Sequence, residues 1–118
     1  MRILVVEDEE AIAKGLRFNF EREGYQVNVA GDGPTALEIY ESAQPPIDLV
    51  VLDLMLPKMD GLEVCRVLRK DMTVPILMLT TESSADRKVE GKSAGATGWL
   101  VKPFDPEKLI DVVKRVSP

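Results

Sequence analysis

The sequence contains no histidine. It therefore offers no imidazole base, no imidazole metal ligand and no phosphohistidine carrier of its own. Its one cysteine, Cys65, excludes an internal disulfide and suits a reducing compartment. Set between Val64 and Val67 in a helical pattern, that thiol reads as core filler. No run approaches the ~20 apolar residues of a membrane span. No charged-then-apolar leader opens the chain, because Met1-Arg2 runs straight into a strand-like stretch. The expected location is cytoplasmic, with no membrane association. Excess positive charge is also missing: 15 Lys+Arg stand against 20 Asp+Glu, for a net charge of −5, which argues against direct nucleic-acid binding. With no imidazole and one thiol, any metal must be held by oxygens, which selects hard cations such as Mg²⁺.

What the chain has is an ordinary globular composition, 45% apolar and 30% charged over 118 residues. That is enough for a single core, and one domain spanning 1–118 is expected. Five short apolar runs, "ILVV" (3–6), "QVNVA" (26–30), "IDLVVLD" (47–53), "PILMLT" (75–80) and "GWLV" (98–101), alternate with helical patterns. Four of the five are nearly continuous, as for strands covered on both faces; the second interleaves Gln26 and Asn28 and reads as an edge strand. Helices are predicted over 9–23, with Ile12, Leu16 and Phe20 inward and Gly24 as the stop, and over 34–43, with Pro34 in the first turn and Ala36, Leu37 and Tyr40 inward. Others are predicted over 61–70 (Leu62, Cys65, Leu68), 84–94 (a weak stripe of Ala85 and Val89) and 106–116, capped by Asp105 with Leu109, Val113 and Val116 on one face. Strict alternation gives a (βα)5 α/β fold, a doubly wound five-stranded parallel sheet with right-handed crossovers. Sites in such sheets lie beyond the carboxyl ends of the strands.

At those ends stand Glu7 and Asp8 after the first strand, Asp53 closing the third, Thr80-Thr81 closing the fourth and Lys102-Pro103 after the fifth. Each has an ordinary reading. Asp8 can cap the first helix, Glu7 to Glu10 can complement the helix dipole, Thr80 can be a turn residue, and a lone lysine is usually solvated. Asp53 resists such a reading, because a carboxylate ending a buried strand costs desolvation unless it is paired or used. Crowded carboxylates call for a cation between them. A carboxylate beside Mg²⁺, a lysine and a threonine hydroxyl can attack a phosphoryl group and become an acyl phosphate, with Lys102 and the metal stabilising the transferring oxygens.

The stretches "ILVVEDE" (3–9), "DLVVLDLMLPKMDGLEV" (48–64), "PILMLTT" (75–81) and "GATGWLVKPF" (95–104) together resemble the receiver domain of two-component response regulators. Up to about residue 80 the likeness is to receivers of winged-helix transcription factors; from about 94 it is to single-domain receivers of the chemotaxis type. The resemblance implies a flavodoxin-like sheet in strand order 2-1-3-4-5. It implies that Asp53 accepts phosphate from a sensor histidine kinase or phosphotransfer protein, or from a small phosphodonor, as a phosphoacceptor rather than a turnover enzyme. It implies Mg²⁺ held by Glu7, Asp8, Asp53 and the Met55 backbone carbonyl. Lys102 becomes the phosphate-binding ammonium, joined to Pro103 by a peptide usually cis in the family. Thr80 becomes the switch hydroxyl and Trp99 the aromatic switch. Glu7 stands where many members have Asp, Thr81 where a small Ala is usual, and Trp99 where Tyr or Phe is usual. Met55 and Glu82 hold the positions that tune phosphoryl lifetime; apolar Met55 cannot orient an attacking water, so slow self-dephosphorylation is expected.

The downstream target is expected to be a protein, docked on the face of the fourth helix, fifth strand and fifth helix. That face lacks the alternating charges of the dimerising transcription-factor receivers: "GKSAGATGW" (91–99) replaces their acidic pattern. The chain also ends just after the last helix, so a monomer without a DNA-binding domain is expected. Met55 stands where a haloacid-dehalogenase-type phosphatase needs a second Asp, and the first loop, "VEDEEAIAKG", lacks the glycines of a nucleotide binder. The alternative left open is an engineered or chimeric receiver-like protein whose inherited site is not used in signalling.

Overall fold

The structure, a computed structural model, describes residues 1–54, 56–70, 74–80, 95–102 and 105–116. Among these, strands and helices follow as β1 (Arg2–Val6), α1 (Glu10–Arg22), β2 (Gln26–Ala30), α2 (Gly33–Ser42), β3 (Leu49–Asp53), α3 (Gly61–Leu68), β4 (Ile76–Thr80), β5 (Gly98–Val101) and α4 (Pro106–Val116). The helix expected over 84–94 lies outside the described residues, so α4 is the helix expected over 106–116. All strand pairings are parallel, in the order β2-β1-β3-β4-β5 that the family resemblance implied.

The continuous apolar strands make sense once both faces of the sheet are seen to be covered. On one side, Leu4, Val6, Val50, Leu52, Ile76 and Met78 pack on Ala36 of α2 and on Leu62, Val64, Cys65 and Leu68 of α3. On the other, Ile3, Val5, Leu49, Val51, Leu77 and Leu79 pack on Leu16 and Phe20 of α1 and on Leu109, Ile110 and Val113 of α4. Each such side chain contributes about 1.5–3 kcal/mol of transfer free energy. The period-two alternation of a strand thus feeds two cores at once, and β3, at the centre, is buried at all five positions.

The helix ends follow local chemistry. Asp32 caps α2 by accepting from the Thr35 amide at 2.8 Å, Asp60 caps α3 by accepting from Leu62 at 2.8 Å, and Asp105 accepts from Glu107 at 2.9 Å as expected. Past α1, Gly24 at φ +90° allows a Schellman closure, Tyr25 N–H to Phe20 O and Gly24 N–H to Glu21 O.

Several expectations are corrected. Helix α1 begins at Glu10 with Glu9 at the cap position and no side-chain cap bond, so Asp8 is not its cap. Strand β3 starts at Leu49 rather than Ile47, and α3 ends at Leu68 rather than 70. Strand β4 starts at Ile76, since Pro75 has no N–H to give a ladder. β2 is an edge strand as read, and β5 is the other edge, as the order 2-1-3-4-5 implied; of its four residues only Leu100 is buried. At the β2 edge the Arg2 guanidinium reaches across to Asn28 Oδ1 at 2.9 Å and Gln26 Oε1 at 3.0 Å.

Candidate functional site

The sheet brings Glu7, Asp8, Asp53, Thr80 and Lys102 to one rim, each carried just past or at the end of its strand. The ladders extend one residue beyond the strands and fix these positions: Glu7 N–H donates to Ala30 O at 3.0 Å, Leu54 N–H to Leu79 O at 3.0 Å, and Lys102 N–H to Thr80 O at 2.6 Å. Glu7, Asp53 and Thr80 are buried, at 2%, 5% and 1% exposure, while Asp8 is exposed.

Lys102 joins two of the carboxylates. Its Nζ lies 3.2 and 3.1 Å from Glu7 Oε1 and Oε2 and 3.2 Å from Asp53 Oδ2. This is a largely desolvated cluster of one ammonium and two carboxyl groups, and each partner would be costly to leave alone. Burial pushes the Glu7 carboxyl up from 4.5 to about 7; the hydrogen bond to Asp53 and the charge of Asp53 add to the rise, and Lys102 only partly opposes it. Burial pulls the Lys102 ammonium down, but the hydrogen bond to Glu7 and the charges of Asp53 and Glu7 outweigh it, so its pKa is raised. One oxygen from each of Glu7, Asp8 and Asp53 can be chosen so that all lie within 4.8 Å of one another.

The Thr80 hydroxyl is buried and finds no hydrogen-bond partner among the described residues, an arrangement that costs stability and calls for an explanation. Thr80 follows the alternation of Ile76 and Met78, which face the α2–α3 core. Trp99 is half-buried against that same core and pairs with Met78 in register. Beside Lys102, between α1 and α4, lies a cavity of about 390 Å³ bordered by Ala11, Ile12, Gly15, Leu16 and Pro106.

Sequence reading assigned Gly61 only the opening of a helix. A Cβ there would sit 2.5 Å from Asp53 O and 2.7 Å from Leu54 O, so the first turn of α3 rests on the backbone of the strand end that carries Asp53. The available signal was a glycine at a first helical position that does not need one. Between these elements, Lys58 adopts φ +66° with Met59 N–H bonded to Pro57 O at 2.7 Å, a strained γ-turn. Met55, Thr81, Glu82 and Pro103, and with Pro103 the expected cis peptide after Lys102, lie outside the described residues.

A family model described as the response regulator receiver domain matches residues 3–114. The alkaline phosphatase synthesis transcriptional regulatory protein PhoP of Bacillus subtilis (strain 168) is 47% identical over 116 residues, covering 98% of this chain and 48% of PhoP. The chain thus spans about half the length of that curated relative. The chemotaxis protein CheY4 of Vibrio cholerae is 41% identical with a TM-score of 0.89, covering 98% of this chain and 97% of CheY4. A CheY-like receiver domain protein from Methanospirillum hungatei JF-1 is 30% identical with a TM-score of 0.91, over 97% of this chain and 90% of that one. A transcriptional regulator and a chemotaxis protein are therefore both among its relatives.

Proposed function

The chain belongs to the response regulator receiver domains, and from that premise we propose that Asp53 takes a phosphoryl group from a sensor histidine kinase or phosphotransfer protein, or from a small phosphodonor. The observation that carries this reading is the joint arrangement on one rim. A buried carboxylate ends the central strand, an ammonium lies 3.2 Å from it, and a buried hydroxyl with no partner among the described residues ends the next strand. An Asp53 oxygen attacks phosphorus, the bond from phosphorus to the donor atom breaks, and the donor leaves with that electron pair. An aspartyl phosphate remains. Lys102 donates to the phosphoryl oxygens as charge develops on them. The Thr80 hydroxyl gains in the phosphoryl group the partner that it lacks among the described residues.

Glu7, Asp8 and Asp53 make an all-oxygen set with closely spaced ligand atoms, and the Glu7 carboxyl is raised first by burial and then by its hydrogen bond to Asp53 and the Asp53 charge, the last of which a cation would offset. Both features fit Mg²⁺. When bound, Mg²⁺ neutralises these carboxylates and draws charge from the transferring oxygens. The Met55 carbonyl is the fourth protein ligand we propose.

Thr80 and Trp99 form the proposed switch, supported by their placement on the same side of the sheet. Movement there alters the face around β5 and α4, which presents to a downstream protein; we read the receiver as a cytoplasmic monomer. The apolar groove beside Lys102 offers an incoming phosphodonor protein a seat next to the acceptor. Incubation with acetyl phosphate and Mg²⁺ should add the mass of one phosphoryl group in intact-mass spectra, and Asp53→Asn should abolish it. Equal labelling of both proteins would overturn the assignment.

A further inference from the structure

At the pole of the sheet opposite the acceptor, one side chain ties three segments together. Arg69 stands at the C-terminal end of α3, where a cation also complements the helix dipole. Its Nε donates to Gly95 O at 2.9 Å, its Nη1 to Val74 O at 2.7 Å, and its Nη2 lies 3.5 Å from Thr97 Oγ1. The Thr97 hydroxyl in turn accepts from Ile76 N–H at 3.0 Å, while Thr97 N–H donates to Ile76 O at 2.7 Å. The fit is close: Gly95 is held at φ +102°, and a Cβ on it would come 2.7 Å from Arg69 Cγ. A planar guanidinium with fixed donor directions is suited to such a junction, and an ammonium is not its equal.

The two strands that enter through this junction are β4 and β5. They run in register from Leu77 opposite Gly98 to Thr80 opposite Val101. They end on the Lys102 N–H to Thr80 O bond, made by the backbone of the same lysine whose Nζ reaches Asp53. β5 is an edge strand, held by a neighbour on one side only. Glu7, Asp8 and Asp53 are carried instead by β1 and β3. We propose that Arg69 is a positioning residue for phosphoryl transfer: by pinning the entry of β5 to that of β4, which is itself paired with the Asp53 strand, it sets where Lys102 stands relative to Asp53. It acts through the strands and does not touch the reacting atoms. The inference rests on the phosphoacceptor reading.

The test compares wild type, Arg69→Ala, Arg69→Lys and Thr97→Val, the last removing only the hydroxyl shared by Arg69 and Ile76. Two quantities are measured at a temperature where each protein is folded. One is the rate of labelling by acetyl phosphate at saturating Mg²⁺ and donor. The other is the Mg²⁺ dissociation constant from the amide shifts of Glu7 and Asp8. A misplaced Lys102 slows the chemistry and spares the metal. Arg69→Ala should lower the labelling rate roughly 10-fold or more, with the Mg²⁺ constant within about twofold of wild type; Arg69→Lys and Thr97→Val should fall between. A labelling rate near wild type in folded Arg69→Ala overturns the inference. So does a rate loss matched by an equal loss of Mg²⁺ affinity, which is general damage. If Arg69→Ala does not fold, Arg69→Lys and Thr97→Val decide by the same two criteria. If wild type itself is not labelled, the phosphoacceptor reading falls and takes this inference with it; labelled wild type with unaffected variants sinks the inference alone.

Discussion

Raising the pH of the metal-free protein should destabilise it, and the cause should be Glu7. The buried side chain carries its proton up to about 7, against 4.5 for an unperturbed glutamate. A carboxyl whose folded value is raised binds its proton more tightly folded than unfolded. Its contribution is complete below about pH 4.5, is eroded as pH climbs, and is lost above the folded value of about 7. At about 1.4 kcal/mol per pH unit, the interval is worth about 3 kcal/mol, on the order of 10 °C in Tm for a domain of this size. Lys102 does not blur the window, because its raised pKa keeps it charged throughout. Asp32, held low first by the backbone N–H of Thr35, acts only in more acidic solution. The assay is urea unfolding followed by circular dichroism in EDTA, at intervals from about pH 5 to about pH 8. Glu7→Gln should flatten the slope, and saturating Mg²⁺ should flatten it in wild type, because a cation favours the ionised carboxylate. Stability that holds level or rises across this range in EDTA, or an unchanged slope in Glu7→Gln, would refute the reasoning.

Three further outcomes are expected. Thr80→Val removes a buried hydroxyl without a described partner and should raise stability by about 1 kcal/mol in urea unfolding, while slowing acetyl phosphate labelling; a loss of stability would show that the hydroxyl is bonded. Gly61→Ala drives a methyl group into the backbone of Asp53 and Leu54 and should cost roughly 1–3 kcal/mol, with slower labelling; an unchanged midpoint would mean that the turn yields freely. Trp99 is the only tryptophan, so beryllium fluoride with Mg²⁺ should alter the emission, and Thr80→Ala should blunt the change; constant emission with binding shown separately would mean that the ring does not move.

Much of this could be read from the residues. Continuous apolar runs such as Leu49–Asp53 announced strands covered on both sides, and alternation with helices announced the parallel sheet. The rim was legible because each of its members follows its own strand: Glu7, Asp53, Thr80 and Lys102 needed only the topology to meet. What lay beyond reading depended on contacts distant in sequence. Gly61 touches the backbone eight residues before it, and Arg69 bonds a carbonyl 26 residues after it; neither periodicity nor composition carries such a relation. That the Thr80 hydroxyl has no partner among the described residues is likewise a fact about its neighbours. Asp8 is the better cap by residue type, but the helix starts one residue too late for it to serve.

The polar ties on β2 bear on how the molecule behaves in a crowded solution. A parallel sheet ends in a row of backbone donors and acceptors that a second chain could extend. Here the outermost strand alternates Gln26 and Asn28 with apolar residues, and the Arg2 guanidinium clasps both amides from the adjacent strand. These bonds join side chains rather than the edge backbone, so what an incoming strand meets is a charged guanidinium held beside the edge. Replacing Arg2 by an apolar residue should therefore cost little in folding yet lower the concentration at which the protein begins to aggregate.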